Sequence, residues 1–183
     1  ATTELRKQVL DVLEAGLSKA APHELMTPSV QYDRDFNSLL VHTESHDLMQ
    51  GRFFVVGGGK AAGGMAEALE RIMGPEHITA GIVSAPPGNY RTDKIKVIEA
   101  EHPLPGRKGA KAVEKMRELK EKYRINENDA VICLLSGGGS ALLPAPVEGL
   151  AISDIRETTR LFMESGADIK EINAIRKHLS RVK

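Results

Sequence analysis

The chain has 183 residues, enough for one domain with a sizeable core. Lysine plus arginine equal aspartate plus glutamate, 25 of each, so no basic surplus points to nucleic acid. One cysteine, no tryptophan, no signal-peptide core and no apolar run of bilayer length argue against a disulfide framework, a base-stacking surface, secretion and a membrane span. A reducing, cytoplasmic setting is the expectation that remains.

In chain order, Leu5, Val9, Val12, Leu13 and Leu17 recur at helical spacing until Pro22 ends the pattern. From Pro22 to Gly51 the signals mix, and a loop with one or two short extended pieces is expected. The run RFFVV after Gly51 reads as a strand buried on both faces. Met65, Ala66, Leu69, Ile72 and Met73 predict a helix over 60–73, stopped by Gly74-Pro75. TAGIVSAPPG gives a second strand running into a Pro-Gly loop, and KIKVIEA a third, followed by EHPLPG. Ala110, Val113, Met116, Leu119 and Tyr123 mark the next helix.

DAVICLLS is the fourth strand, with Cys133 read as a small buried hydrophobe, and GGGSALLPAP is its loop. Ser153 is expected to cap a helix carrying Ile155, Phe162 and Met163, with Gly166 as its stop. Asp168 and Glu171 form a capping pair for a last helix striped by Ile169, Ile172, Ile175, Leu179 and Val182. That pattern meets no stop signal, so the chain is expected to be a fragment of a larger protein. Strands alternating with helices, as near-continuous apolar runs, predict an α/β fold. The expected architecture is a doubly wound, mainly parallel, Rossmann-like sheet with helices on both faces, in one domain over 1–183.

VVGGGKAA and LLSGGGSA both run from a strand through three glycines to small residues. Two such loops at strand carboxyl ends would share one edge of the sheet, where open α/β folds bind ligands. A Walker A loop is excluded, because Phe54 stands in place of its first glycine and Ala61 in place of its hydroxyl. Gly57, Gly59 and Ala62 match the spacing of a dinucleotide fingerprint, but no acid follows the second strand to hold a ribose hydroxyl.

A more general chemistry survives. Successive glycines let backbone N–H groups turn toward an anion, and Lys60 adds a full charge beside Gly57, Gly58 and Gly59. Ser136, Gly137, Gly138, Gly139 and Ser140 add two hydroxyls and three unhindered amides. His102, before a proline at a strand end, could donate to a ligand oxygen. Asn173 and Lys177 lie on one row of the last helix, with Arg176 on a neighbouring row. No defensible metal-ligand spacing stands out. The bland alternative is that the glycines allow close packing and the charged residues are solvated.

The motifs VVGGGKAAGGMAEALE, EAEHPLPG, LLSGGGSALLPAPVEGL and EINAIRKHLSRVK resemble the amino-terminal domain of MOFRL-type glycerate 2-kinases, relatives of which are often labelled hydroxypyruvate reductases. They come in the family's order and span the chain from about Gly51 to its end. The resemblance implies transfer of the γ-phosphoryl of ATP to the 2-hydroxyl of D-glycerate, with Mg²⁺. It implies a second α/β domain, absent here, with the active site in the cleft between the two. It carries a catalytic role onto Lys60 and phosphate or substrate binding onto the Ser136–Ser140 loop, and less specifically onto Asn173, Arg176 and Lys177. Two alternatives stand beside it: an NAD(P)H-dependent hydroxypyruvate reductase, and a non-catalytic anion-binding fragment.

Overall fold

The computed structural model describes residues 3–47 and 51–183. Helix α1 (Glu4–Lys19) forms where the apolar spacing predicts it, with the Thr3 hydroxyl accepting from the Arg6 N–H at 3.3 Å. None of its residues is buried, and Leu5, Val9, Leu13 and Leu17 stand exposed.

The stretch expected as a loop with one or two short extended pieces holds a short helix and three short strands, so it is more ordered than the sequence suggests. Helix α2 (Pro22–Met26) starts with proline in its first turn, where the missing N–H costs nothing. Strands β1 (Val30–Asp33), β2 (Ser38–Val41) and β3 (Glu44–Asp47) follow as an antiparallel sheet in the order β1-β2-β3. Four-residue strands show too little alternation to be told from loop by periodicity. Residues 48–50 of that stretch lie outside the described residues. The small sheet packs on the main core through Leu39, and the Tyr32 ring meets Phe53 edge-on at 5.9 Å.

The main sheet contains β4 (Phe53–Gly58), β5 (Ile78–Ala85), β6 (Ile95–Glu99) and β7 (Ala130–Leu135). All four are parallel, in the order β6-β5-β4-β7. Side chains alternate between faces along each strand. Phe53, Val55, Val83, Ile95 and Leu134 pack with Ala62, Ala66, Leu69 and Met73 of helix α3 (Ala62–Met73). Phe54 lies on the opposite face, where its ring tilts against Tyr123 of helix α4 (Arg107–Tyr123) at 5.4 Å. This is the expected doubly wound α/β fold, with helices on both faces.

Two buried carboxylates fix the frame. Asp129 accepts from Arg52 Nε at 2.9 Å and Nη2 at 2.8 Å, tying the start of β7 to the start of β4. Glu70 of α3 accepts the N–H groups of Asp93, Lys94 and Ile95 at 2.7, 2.8 and 2.6 Å, anchoring the entry to β6.

Full coverage of the sheet does not hold at β7, and Cys133 is exposed rather than buried. β7 is the edge strand, and among the described residues no helix covers Val131, Cys133 and Leu135. They line an apolar groove of about 660 Å³ together with Phe54, Val113 and Met116.

Three further helices follow: α5 (Gly139–Leu142), α6 (Ile152–Glu164) and α7 (Ile169–His178). The cap of α6 is Ala151, whose N–H donates to Asp154 at 2.8 Å, so Ser153 lies in the first turn and not at the cap. α7 opens with the predicted Asp168–Glu171 pair. It ends at His178, short of the predicted stripe, so Leu179 and Val182 lie beyond the helix. The reason is tertiary. Arg181 N–H donates to Ala145 O at 2.8 Å, Val147 N–H donates to Leu179 O at 3.1 Å, and Ser180 bridges Pro146. Those partners draw the segment out of helical conformation.

Candidate functional site

The chain leaves β4 toward β5 on one side, while β7 returns on the other. The sheet order therefore reverses between the carboxyl ends of β4 and β7, where open α/β sheets leave a crevice for ligands. Gly57 and Gly58 end β4, in register with Leu134 and Leu135 of β7. The two glycine loops follow directly, side by side at one edge.

The loops are laced to each other. Lys60 N–H donates to Gly137 O at 2.7 Å, Ala61 N–H to Ser136 Oγ at 3.0 Å, and Ser136 N–H to Gly58 O at 3.4 Å. Gly59 N–H donates to Ser84 O at 3.1 Å. Gly59 has φ +146°, and a Cβ there would collide with Ser136 Oγ. The approach of the loops thus requires glycine. It also occupies the amides of Gly59, Lys60 and Ala61 with acceptors from the protein itself.

The second loop is arranged differently. Gly137, Gly138, Gly139 and Ser140 donate their N–H groups to no acceptor among the described residues. Gly138 takes the left-handed conformation, φ +86° and ψ −1°, so the loop reverses there. Consecutive amides around a left-handed residue form a concave, positively polarised nest suited to an anion. The expectation that both loops offer amides is thereby narrowed to the second loop.

Two side chains meet over this nest. The position of a Cβ on Gly138 is 3.0 Å from His102 Nε2 and 3.1 Å from Lys60 Cγ. Neither Lys60 nor His102 forms an ion pair among the described residues, and Lys60 is exposed. His102 is carried there by the loop after β6, where Glu101 turns back to accept the Lys108 N–H at 3.2 Å. No group of three His, Cys, Asp or Glu residues able to hold a metal occurs among the described residues.

The candidates on α7 separate. Asn173 and Lys177 are exposed and make no side-chain hydrogen bond among the described residues. Arg176 is half-buried against α6, donating from Nε to the buried Thr159 hydroxyl at 3.3 Å, and burial lowers its pKa. Lys183, which drew no notice in the sequence, reaches the second loop and donates to Ser140 O at 2.6 Å. Its placement depends on the pairing of 179–181 with 145–147, a tertiary contact without a sequence signature.

Residues 8–183 match the family described as "Domain of unknown function (DUF4147)". The chain is 35% identical over 181 residues to a protein of Pyrococcus horikoshii named glycerate 2-kinase, covering 98% of this chain and 39% of that protein. The crystal structure of a glycerate kinase from Thermotoga maritima superposes with a TM-score of 0.74 at 32% identity, covering 98% of this chain and 39% of that one. A protein of Agrobacterium vitis, provisionally named a hydroxypyruvate reductase, is 35% identical over 133 residues, covering 73% of this chain and 34% of its own length. The chain thus spans roughly two fifths or less of the curated relatives it matches.

Proposed function

The chain belongs to the DUF4147 family, and from that premise we propose that it supplies one half of the active-site cleft of an ATP-dependent glycerate 2-kinase. The reaction is transfer of the γ-phosphoryl group of ATP to the 2-hydroxyl of D-glycerate, giving 2-phosphoglycerate in the cytoplasm. The other half of the cleft comes from a second domain that lies outside these residues.

The observation that carries this reading is the nest of free amides at Gly137–Ser140 beneath the side chains of Lys60 and His102. Phosphoryl transfer calls for positioning and charge neutralisation more than covalent help. The phosphorus–oxygen bond to ADP breaks as a bond to the glycerate oxygen forms, and the hydroxyl proton is released to solvent. Negative charge on the equatorial oxygens is met by fixed N–H dipoles and by the Lys60 ammonium. His102 donates to one of those oxygens through Nε2, which lies beside Gly138.

The resemblance adds Mg²⁺ on the nucleotide phosphates. The described residues bring no acidic cluster that would hold it, so no step is assigned to the metal on this chain.

A reductase is the second reading, and the Agrobacterium vitis name favours it. Against it, a dinucleotide pyrophosphate would need the first loop's amides, and Lys60 and Ala61 already donate theirs to Gly137 and Ser136. Taken alone, the 183 residues should bind an anion and turn nothing over.

Two assays on the full-length protein test the proposal. Glycerate-dependent release of ADP is expected. Oxidation of NADH by hydroxypyruvate without ATP would replace the kinase by the reductase.

A further inference from the structure

Helix α5 is a single turn that follows directly from the nest. The N–H groups of Ala141 and Leu142 donate to Gly138 O at 3.1 and 3.2 Å, and that of Leu143 donates to Gly139 O at 2.8 Å. The next carbonyl along is that of Ser140. Its helical donor would be the N–H of residue 144, four positions on. Residue 144 is a proline and has no N–H. The Ser140 carbonyl therefore needs a donor from outside the turn. The Lys183 ammonium supplies it at 2.6 Å, and no other donor reaches that oxygen among the described residues.

Backbone pairing delivers Lys183 to this place. Arg181 N–H donates to Ala145 O at 2.8 Å, Val147 N–H donates to Leu179 O at 3.1 Å, and Ser180 bridges Pro146. The chain from Gly137 to Val147 is thus held at its start by the Lys60 N–H on Gly137 O at 2.7 Å, and from Ser140 onward by residues 179–183. The peptide plane between Ser140 and Ala141 is fixed on both sides, with its N–H on Gly138 O and its oxygen on Lys183. A run of three glycines resists rotation least of any sequence, so the shape of the nest depends on such outside bonds. Amides stabilise developing charge best when they are fixed in advance.

We propose that Lys183 is a positioning residue of the anion site. Its ammonium stands in for the donor that Pro144 lacks, and so holds Gly137 to Ser140 in the geometry that meets the phosphoryl charge. The assignment rests on the kinase reading above. Lys60 and His102 face the phosphoryl oxygens, whereas Lys183 acts through the Ser140 carbonyl.

The test uses the full-length protein with Lys183→Met, which keeps the apolar stem and loses the ammonium, and Lys183→Arg, which keeps a cationic donor. In the Met variant kcat should fall about 10- to 100-fold, because displaced amides miss the transferring phosphoryl group, while KM for D-glycerate stays within about threefold. The Arg variant should return to within about fivefold of wild type, since one guanidinium N–H can take the same carbonyl. A raised KM for glycerate with kcat unchanged would place Lys183 on the acid itself and overturn the proposal. A lowered Tm with unchanged kcat would make the contact purely structural, and would overturn it too. So would an Arg variant as slow as Met, which would put the ammonium on the reacting atoms. Absence of glycerate turnover in the wild type would instead defeat the kinase reading. Calorimetric titration with ATP still reads Lys183 in that case: Met should weaken binding about threefold or more and Arg should restore it, whereas equal binding by all three proteins would overturn the proposal.

Discussion

A backbone hydrogen bond of 2.7 Å from Lys60 to Gly137 joins the two glycine loops, and the Lys60 side chain then passes over Gly138. The main chain of Lys60 fixes the loops, while its ammonium meets no partner among the described residues. The two roles can be separated by mutation.

Lys60→Ala in the full-length protein keeps the backbone bond and removes the charge. A cation aimed at the transferring phosphoryl group matters more in the transition state than in the ground state. We expect kcat to fall roughly 10²- to 10⁴-fold, about 3–5 kcal/mol on the barrier, with KM for glycerate little changed. Lys60→Arg should restore only part, because a planar fork does not replace a compact point charge. Tm should stay close to wild type, since Lys60 is exposed in the turn before α3 and its side chain buries nothing. Steady-state kinetics with a thermal melt checks all of this.

The glycines of the two loops should respond in opposite ways. Gly59→Ala puts a methyl group against Ser136 Oγ at φ +146° and should lower stability by about 2–4 kcal/mol, combining backbone strain with a clash. Gly137→Ala meets nothing within 4 Å and has no positive φ. It should leave Tm nearly unchanged while weakening binding of nucleotide, because the methyl enters the open side of the nest. Denaturant unfolding and nucleotide titration separate the two effects.

The Arg52 guanidinium beside Asp129, with the N–H of Asn126, holds its carboxyl well below the usual carboxylate range. A folded-state pKa depressed in this way stabilises the protein above the unfolded value, near 3.9. That stability is lost as pH falls below about 4. Asp129→Asn should lower Tm at pH 7 and flatten the loss of Tm between about pH 4 and 2. An unchanged acid limb would show that the clamp contributes nothing.

Glu70→Ala removes the acceptor of three N–H groups from a site only 6% exposed. Leaving those amides unpaired should cost about 2–4 kcal/mol. Kinetic constants of the surviving folded fraction should not change, because Glu70 lies near the carboxyl end of α3, at the entry to β6 and not at the glycine loops. Chemical denaturation alongside kinetics tests it.

Much of this arrangement was legible in the sequence. Long apolar runs identified β4, β5 and β7, and the glycine triplets marked the sheet edge they share. What escaped has physical causes. The strands from Val30 to Asp47 are four residues each, too short for periodicity to speak. Cys133 sits in an apolar run that reads as buried, but its strand is at the edge of the sheet. The end of α7 was overridden by hydrogen bonds to residues 145–147, and the position of Lys183 came with them. The division of work between the loops was invisible too, because both carry the same triple glycine and only the contacts show whose amides are occupied.

The most direct measurement is phosphorus NMR of the product formed by the full-length protein from D-glycerate and ATP. A new phosphomonoester whose phosphorus couples to the single proton on C2 is expected together with ADP, forming at least about 100-fold more slowly with Lys60→Ala. A phosphoester coupled to the C3 methylene protons, or ATP left intact while hydroxypyruvate is reduced by NADH, would contradict it.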